Sequence, residues 1–278
     1  MTAMTAALTA ASTMPDTFWG WVAFIVRNYG ALFLEGARNT LFIALVGTAA
    51  GFAIGLVVAI VRTFPLKAQT PRPVRLIVRV SQILLSIYIE VFRGTPMIVQ
   101  AVVVYYGSLQ MFGINLTAIA AGILIVSINT GAYMAEIIRG GIDSIDRGQT
   151  EAAQAIGMNH VKTMVHVILP QAIRNILPAT GNELVVNIKD TSVLNVISVT
   201  ELFFMSKSAA GTYFRYFEVF FVTSVIYLVM TFTVTRLLRL LEKKIDGPDN
   251  YTVMGSQTTL AGMIHVQHGG PDLPVRRK

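Results

Sequence analysis

The sequence predicts an all-α integral membrane protein with five transmembrane helices, and three observations carry that expectation. Of 278 residues, 54 % are hydrophobic and 13 % charged. Soluble globular chains run at about 25 % charged residues, so this chain lacks the polar surface that soluble domains of its length need. Apolar stretches long enough to cross a bilayer recur along the chain. Its basic residues, which give a net charge of +7, sort to alternate loops between those stretches. The abundance of Leu, Ile, Val and Phe excludes a disordered chain. The absence of cysteine excludes a disulfide scaffold, a thiol nucleophile and cysteine metal sites.

Taken in order, residues 1–16 contain no Lys or Arg and so lack the charged region of a secretory signal peptide. Residues 18–34 are aromatic-rich but interrupted by Arg27 and Asn28. As a span this stretch is short and broken, which predicts an interfacial amphipathic helix within an extracytoplasmic segment covering residues 1–38. A five-span domain follows over residues 39–245. Its spans are expected near residues 39–61, 83–106, 116–138, 180–202 and 217–235, with a long loop at 140–178. Beyond residue 246 Gly, Pro, Gln and Asn rise, which reads as a flexible tail ending in Arg276, Arg277 and Lys278.

The loops after spans one, three and five hold thirteen basic residues, and the opposite side holds four, namely Arg27, Arg38, Lys207 and Arg215. That bias places the N-terminus outside and the C-terminus in the cytoplasm of a multi-pass protein of the cytoplasmic (inner) membrane. The excess charge is thereby a matter of topology and not a nucleic-acid footprint.

Two patterns inside this frame stand out. Gly47, Gly51, Gly55 and Ala59 recur every four residues on span one, a small-residue face that lets two helix backbones approach closely. The loop at 140–178 has helix-forming composition and is too long for a simple turn. Glu151 to Ile156 reads as a short helix ended by Gly157, because glycine readily takes positive φ. A second short helix is expected over residues 158–168, and Pro170 and Pro178 each disfavour a continuous helix beyond it. A compact helical element held below the membrane is a docking surface.

These loop residues carry a resemblance. Glu151, Ala152, Ala153, Gly157, Leu169 and Pro170 stand where the EAA motif of ATP-binding-cassette (ABC) importer permeases has its marked positions, with Val167 in place of the usual Ile. Residues 92–96 (Phe-Arg-Gly-Thr-Pro), 131–141 and 189–192 (Lys-Asp-Thr-Ser) are similar to the polar amino acid subfamily, which includes permeases for glutamine, histidine, arginine and acidic amino acids. The resemblance covers most of the chain, about residues 34–245. It implies a type I importer permease fold and a subunit that pairs with a second permease, identical or different, around one pathway. It also implies two cytoplasmic ATPase subunits, which use ATP and Mg, and an extracytoplasmic solute-binding protein. Glu151 to Gly157 would then seat in a groove of the ATPase, and Pro170 and Pro178 would pass the motion to spans three and four. No G-x-x-x-x-G-K-[ST] phosphate loop occurs in the sequence, so no cofactor is expected on this chain and ATP hydrolysis is assigned to another one.

Ionisable residues within spans are costly and mark wet cavities or pathways. Glu90 and Arg93 lie on span two, Asn129 and Glu136 on span three, and Glu183, Asn187, Lys189 and Asp190 on span four. For an amino acid in transit, Arg93 or Lys189 could take the carboxylate, and Asn129, Glu136 or Asp190 could meet the ammonium group. Pairing of Glu90 with Arg93 and of Glu136 with Arg139, each three residues apart, is the structural alternative. Thr95-Pro96 marks a kink in span two. The four histidines form no ligand-spaced cluster with acidic residues inside a span, so neither an enzyme nor a metal site is expected. The rival class is a secondary transporter driven by an ion gradient through Glu90, Glu183 or Asp190, but no internal repeat supports it.

Overall fold

The computed structural model describes residues 14–64, 66 and 71–246. The tail expected from 246 onward, with its terminal basic triplet, lies outside the described residues except at its first position, as do residues 1–13. Every regular element among the described residues is a helix.

Helix α1 is uninterrupted from Phe18 to Thr63, which corrects the division at residue 38 into an interfacial helix and a span. Neither polar residue breaks it. Arg27 is exposed, and the Asn28 amide folds back to donate to the Phe24 carbonyl at 2.7 Å. Thr17 caps its start by accepting from Gly20 N–H at 3.1 Å. At 1.5 Å per residue the helix is about 69 Å long, more than twice the ~30 Å hydrocarbon core of a bilayer.

The stretch expected as one second span is two helices, α2 over Arg72–Gly94 and α3 over Met97–Phe112. Thr95 is extended (φ −119°, ψ 145°), the conformation that a following proline imposes. The kink expected there is thus a full break. Two side chains occupy it. The Gln100 amide donates to Phe92 O at 3.0 Å and Thr95 O at 2.9 Å. The Asn129 amide donates to Phe92 O at 3.2 Å and to Gln100 Oε1 at 2.9 Å. Carbonyls that a helix break leaves without intrahelical partners need such donors when buried.

Helix α4 (Ala118–Asp143) packs along α1 in the most extensive helix pairing of the fold. The glycine face makes this possible. A Cβ placed on Gly47 would stand 2.5 Å from Val126 Cγ1 and one on Gly51 2.6 Å from Thr130 Cβ, while one on Gly55 would collide with Met134. The two stripes, three glycines against residues at the same four-residue interval, mesh as small-residue seams do.

After α4 come the short α5 (Arg147–Ala155) and then a continuous helical rod, His160–Ile197. The rod comprises α6 (His160–Thr163), a π turn (Met164–Ile168), α7 (Leu169–Asp190) and a 3-10 segment (Thr191–Ile197). This corrects two expectations. Residues 158–168 are not a separate helix, and the helix expected to hold the fourth span starts well before residue 180. Pro170 sits in the first turn of α7 and Pro178 inside it. The wider π turn lies immediately before Pro170 and contains His166, the i−4 residue whose carbonyl the ring would otherwise strike.

The rod ends at Ser198, held at φ +61°, and α8 (Leu202–Tyr213) leaves at 56°. Glu201, fully buried, caps α8. Its carboxylate accepts from Phe203 N–H at 2.8 Å, Phe204 N–H at 2.7 Å and the Tyr227 hydroxyl at 3.0 Å. Asn39 and Thr40 of α1 hold the same corner, through Thr200 O at 2.7 Å and Leu202 N–H at 3.2 Å. Replacing Glu201 with alanine removes the cap and takes one partner from the half-buried Tyr227 hydroxyl, costing about 2 kcal/mol. The expected result is a melting temperature lowered by about 4–8 °C in detergent, measured by thermal unfolding of the purified protein.

Helix α9 (Tyr216–Asp246) closes the bundle. Phe18 packs against Phe217 and Phe221 at 5.5 and 5.4 Å between ring centroids, tilted on the first and edge-on to the second, so α1 and α9 begin at the same end. Arg62 pairs with Glu136 at the opposite end, where α5 also lies. Three helices, α1, α4 and α9, are each long and apolar enough to cross a membrane, and the bent rod with α8 makes up to four among the described residues.

Candidate functional site

Two regions carry the residues that the sequence singles out, one at the α5 end of the bundle and one along the rod. At the first, Asp146 starts α5 by accepting from Gly148 N–H at 2.6 Å. Gly157, at φ +81°, ends it. Gly157 N–H donates to Gln154 O at 2.9 Å and Met158 N–H to Ala153 O at 3.0 Å, the paired bonds of a Schellman stop. Asn159 then caps the rod by accepting from Lys162 N–H at 2.9 Å. Two helices meet here at a turn capped from both sides.

Ala153 is the buried residue of α5, the point where the helix sits against the rest of the chain. Glu151, Ala152 and Gly157 are exposed, and Leu169 is half-buried beside exposed Pro170. Around them Ile156 is 79 % and Val161 67 % exposed. Large apolar side chains that open at the end of a membrane bundle, beside small alanines, form a surface that a partner protein can cover.

Along the rod the structure separates the expected pathway residues into two groups. Arg93, Glu90, Lys189 and Asp190 are exposed. The Arg93 guanidinium lies over the Tyr133 ring, 5.4 Å from its centroid, and Glu183 lies within electrostatic reach of both Arg93 and Asp190. Residues from α2, α4 and α7 are thus brought together on one face that the chain itself leaves open. The Glu90–Arg93 pair, which their spacing allows, is not among the ion pairs formed between described residues.

The other group is committed to structure. Asn129 holds the α2–α3 break, as described above. Glu136 accepts from Arg139 Nη2 at 2.8 Å and pairs with Arg62, which ties the end of α1 to α4. Asn187, 2 % exposed, donates to Thr48 Oγ1 at 2.8 Å and Thr130 Oγ1 at 2.9 Å. These three residues do not face the open pathway surface together with Arg93.

Several residues of this framework carry no warning in the sequence. Thr48 and Thr130 interleave with the glycine and alanine positions of α1 and α4, and only their register against Asn187 shows a role. Glu201 had one signal, an acidic residue directly before an apolar helical run. No group of His, Asp and Glu arranged to hold a metal occurs among the described residues.

Comparison with known proteins agrees with this architecture. A model of the family described as binding-protein-dependent transport system inner membrane component matches residues 75–247. The glutamine transport system permease protein GlnP of Escherichia coli (strain K12) is 37 % identical over 215 residues, 77 % of this chain and 93 % of that protein. The arginine transport system permease protein ArtQ of Bacillus subtilis (strain 168) is 34 % identical over 78 % of this chain and 93 % of its own length. Among solved structures, an amino acid ABC transporter crystallised with histidines superposes with a TM-score of 0.72 at 38 % identity, covering 83 % of this chain and 100 % of that one. An inward-facing MetNI methionine ABC transporter shares the fold at a TM-score of 0.63 and 19 % identity, over 78 % of this chain and 97 % of its own. All of these relatives are matched over nearly their full length. The chain belongs to the family of binding-protein-dependent transport system inner membrane components.

Proposed function

We propose that the chain is the membrane-spanning subunit of an ATP-driven importer that forms the translocation pathway for a polar amino acid. The observation that carries this reading is the rod. One helix runs from the exposed docking turn at Gly157–His160 to the exposed charges Lys189 and Asp190, so a force applied at the turn reaches the polar face directly. Glutamine and arginine permeases among the relatives support the substrate class.

In this reading two ATPase subunits, which bind ATP and Mg, seat the α5 turn through Glu151, Ala152 and Gly157. A second permease, identical or different, covers the open face bearing Arg93 and Asp190, beside which Tyr133 is half-buried and Glu183 buried. A solute-binding protein delivers the amino acid from the opposite side. The chain crosses the inner membrane five times, with α2 and α3 as one broken crossing, the N-terminus outside and the C-terminus cytoplasmic. This subunit performs no catalysis. Arg93 and Lys189 are the groups for the substrate carboxylate, and Glu90, Glu183 and Asp190 are those for its ammonium.

Uptake into sealed vesicles tests the proposal. Transport that requires ATP and the binding protein supports it, and transport driven by a proton or sodium gradient without ATP replaces it with a secondary transporter. Within the importer, replacing Lys189 with methionine is expected to lower uptake about ten-fold while the complex still assembles. Uptake equal to the wild type would make Lys189 a bystander.

A further inference from the structure

The rod is tied to the rest of the bundle by polar side chains at two levels, and they differ in kind. Near the docking end Asn175 donates to Ser144 Oγ at 2.8 Å, at an exposed position where water can replace the bond at little cost. Deeper in the bundle Asn187 donates to Thr48 and Thr130 at once, and all three residues are buried, at 2 %, 6 % and 0 % exposure. No water competes there, so breaking the contact would strand a buried amide and two hydroxyls.

The partners of Asn187 belong to the stiffest part of the fold. Thr48 is the neighbour of Gly47, and Thr130 faces Gly51, so both hydroxyls are set on the α1–α4 seam. Elsewhere α7 meets that pair through apolar or weak contacts. Gly141 of α4 lies against Ile176, and Thr180 reaches Met134 Sδ at 3.8 Å. Contacts of that kind let one helix slide and tilt on another, whereas a two-pronged buried hydrogen bond fixes a point.

Position along the rod gives the point its meaning. Asn187 lies about 40 Å from His160 by helical rise. The 3-10 segment places Ile197 about 18 Å beyond it. Displacement at the docking end would therefore reach Ser198 with opposite direction and rather less than half the size, and the bonds from Asn39 and Thr40 of α1 to Thr200 and Leu202 limit how far α8 follows.

We propose that Asn187 is a positioning residue, the fixed point on the α1–α4 pair about which the rod tilts when its docking end moves. The assignment rests on the reading of α5 and Gly157 as the ATPase-coupling turn. Asn187 touches no substrate in this account. It acts by holding Lys189 and Asp190 at a set distance from Arg93 while the rod swings.

The test uses the complete complex in proteoliposomes and reads amino acid taken up per ATP hydrolysed. Asn187→Leu, with the same branching and number of side-chain heavy atoms but no donor, is expected to assemble, to hydrolyse ATP at the wild-type rate and to lose about ten-fold in the uptake ratio. The double variant Thr48→Val with Thr130→Val, which removes both acceptors, is expected to do the same. Thr48→Ser with Thr130→Ser keeps both hydroxyls and is expected to stay within about two-fold of the wild type.

The proposal is overturned if Asn187→Leu and the valine pair keep the wild-type ratio. It is equally overturned if they lose uptake and hydrolysis in proportion, or if the serine pair fails as badly as the valine pair. Should Asn187→Leu not assemble, the comparison of valine and serine pairs decides. A lowered ratio in Asn187→Leu with a normal ratio in Gly157→Val would fault the docking reading and leave Asn187 standing. The reverse pattern faults Asn187 alone.

Discussion

Replacing Gly157 with valine is expected to leave ATP hydrolysis running in the assembled complex while uptake falls about ten-fold or more. The cause is backbone conformation and not crowding, because a Cβ at this position would meet nothing within 4 Å. Gly157 sits at φ +81°, in the left-handed region that costs an L-residue about 1–2 kcal/mol and is least tolerated by β-branched side chains. Valine therefore reopens the turn, and the bonds from Gly157 and Met158 to Gln154 and Ala153 go with it. Helix α5 is then no longer aimed by the rod. Asparagine visits the left-handed region more readily, so Gly157→Asn is expected to retain most of the uptake. Equal losses in the valine and asparagine variants would show that the turn's conformation is not what matters. Hydrolysis and uptake measured side by side in proteoliposomes separate the outcomes.

The second large effect is expected at the α1–α4 seam. Gly51→Leu would drive a side chain into Thr130, whose Cβ lies 2.6 Å from the position of the first added carbon, with the Gly131 backbone nitrogen at 3.1 Å. Neither neighbour is the far end of a flexible chain, so the helices must part. Overpacking of this kind costs about 1–3 kcal/mol, and here it also displaces Thr130 from Asn187. Folded protein recovered from membranes is expected to fall several-fold, with a melting temperature lowered by about 4–8 °C. Gly30, around which a Cβ would find open space, serves as the control. Gly30→Leu on the same helix should change neither quantity. A stable Gly51→Leu protein would mean that the seam is looser than its glycines imply.

How far such a fold can be read from sequence depends on which force places each element. Hydrophobic content and the sorting of basic residues depend only on the chain and the bilayer, so the membrane class and the apolar cores of α1, α4 and α9 were legible. The glycine face of α1 was legible for the same reason, since a small-residue stripe has one main structural use. Gly157 was legible because positive φ is a local demand.

Boundaries set by tertiary contacts were not legible. The helix α1 continues through Arg27 and Asn28 because one side chain is exposed and the other satisfies itself on Phe24, and composition reports neither fact. The rod continues through Pro170 and Pro178 because a π turn makes room for the first ring. Conversely, the break at Thr95 is complete because Gln100 and Asn129 satisfy its carbonyls. In the site, sequence could identify charged and amide residues within the spans but not divide them. Lys189, two residues from Asn187, is exposed while Asn187 is buried, since each residue turns about 100° around the helix axis.

The most direct test of the account exploits the absence of cysteine from the natural chain. A single cysteine at Ala152, an exposed position of α5, can be crosslinked in the intact complex without background from other thiols of this chain. The account predicts a crosslink from Ala152→Cys to an ATPase subunit, with a yield that changes when ATP is bound. It predicts none from Phe112→Cys, placed at the far end of α3. A complex that hydrolyses ATP and imports its amino acid, yet gives no crosslink between Ala152→Cys and an ATPase subunit, would contradict the claim that α5 is the coupling element.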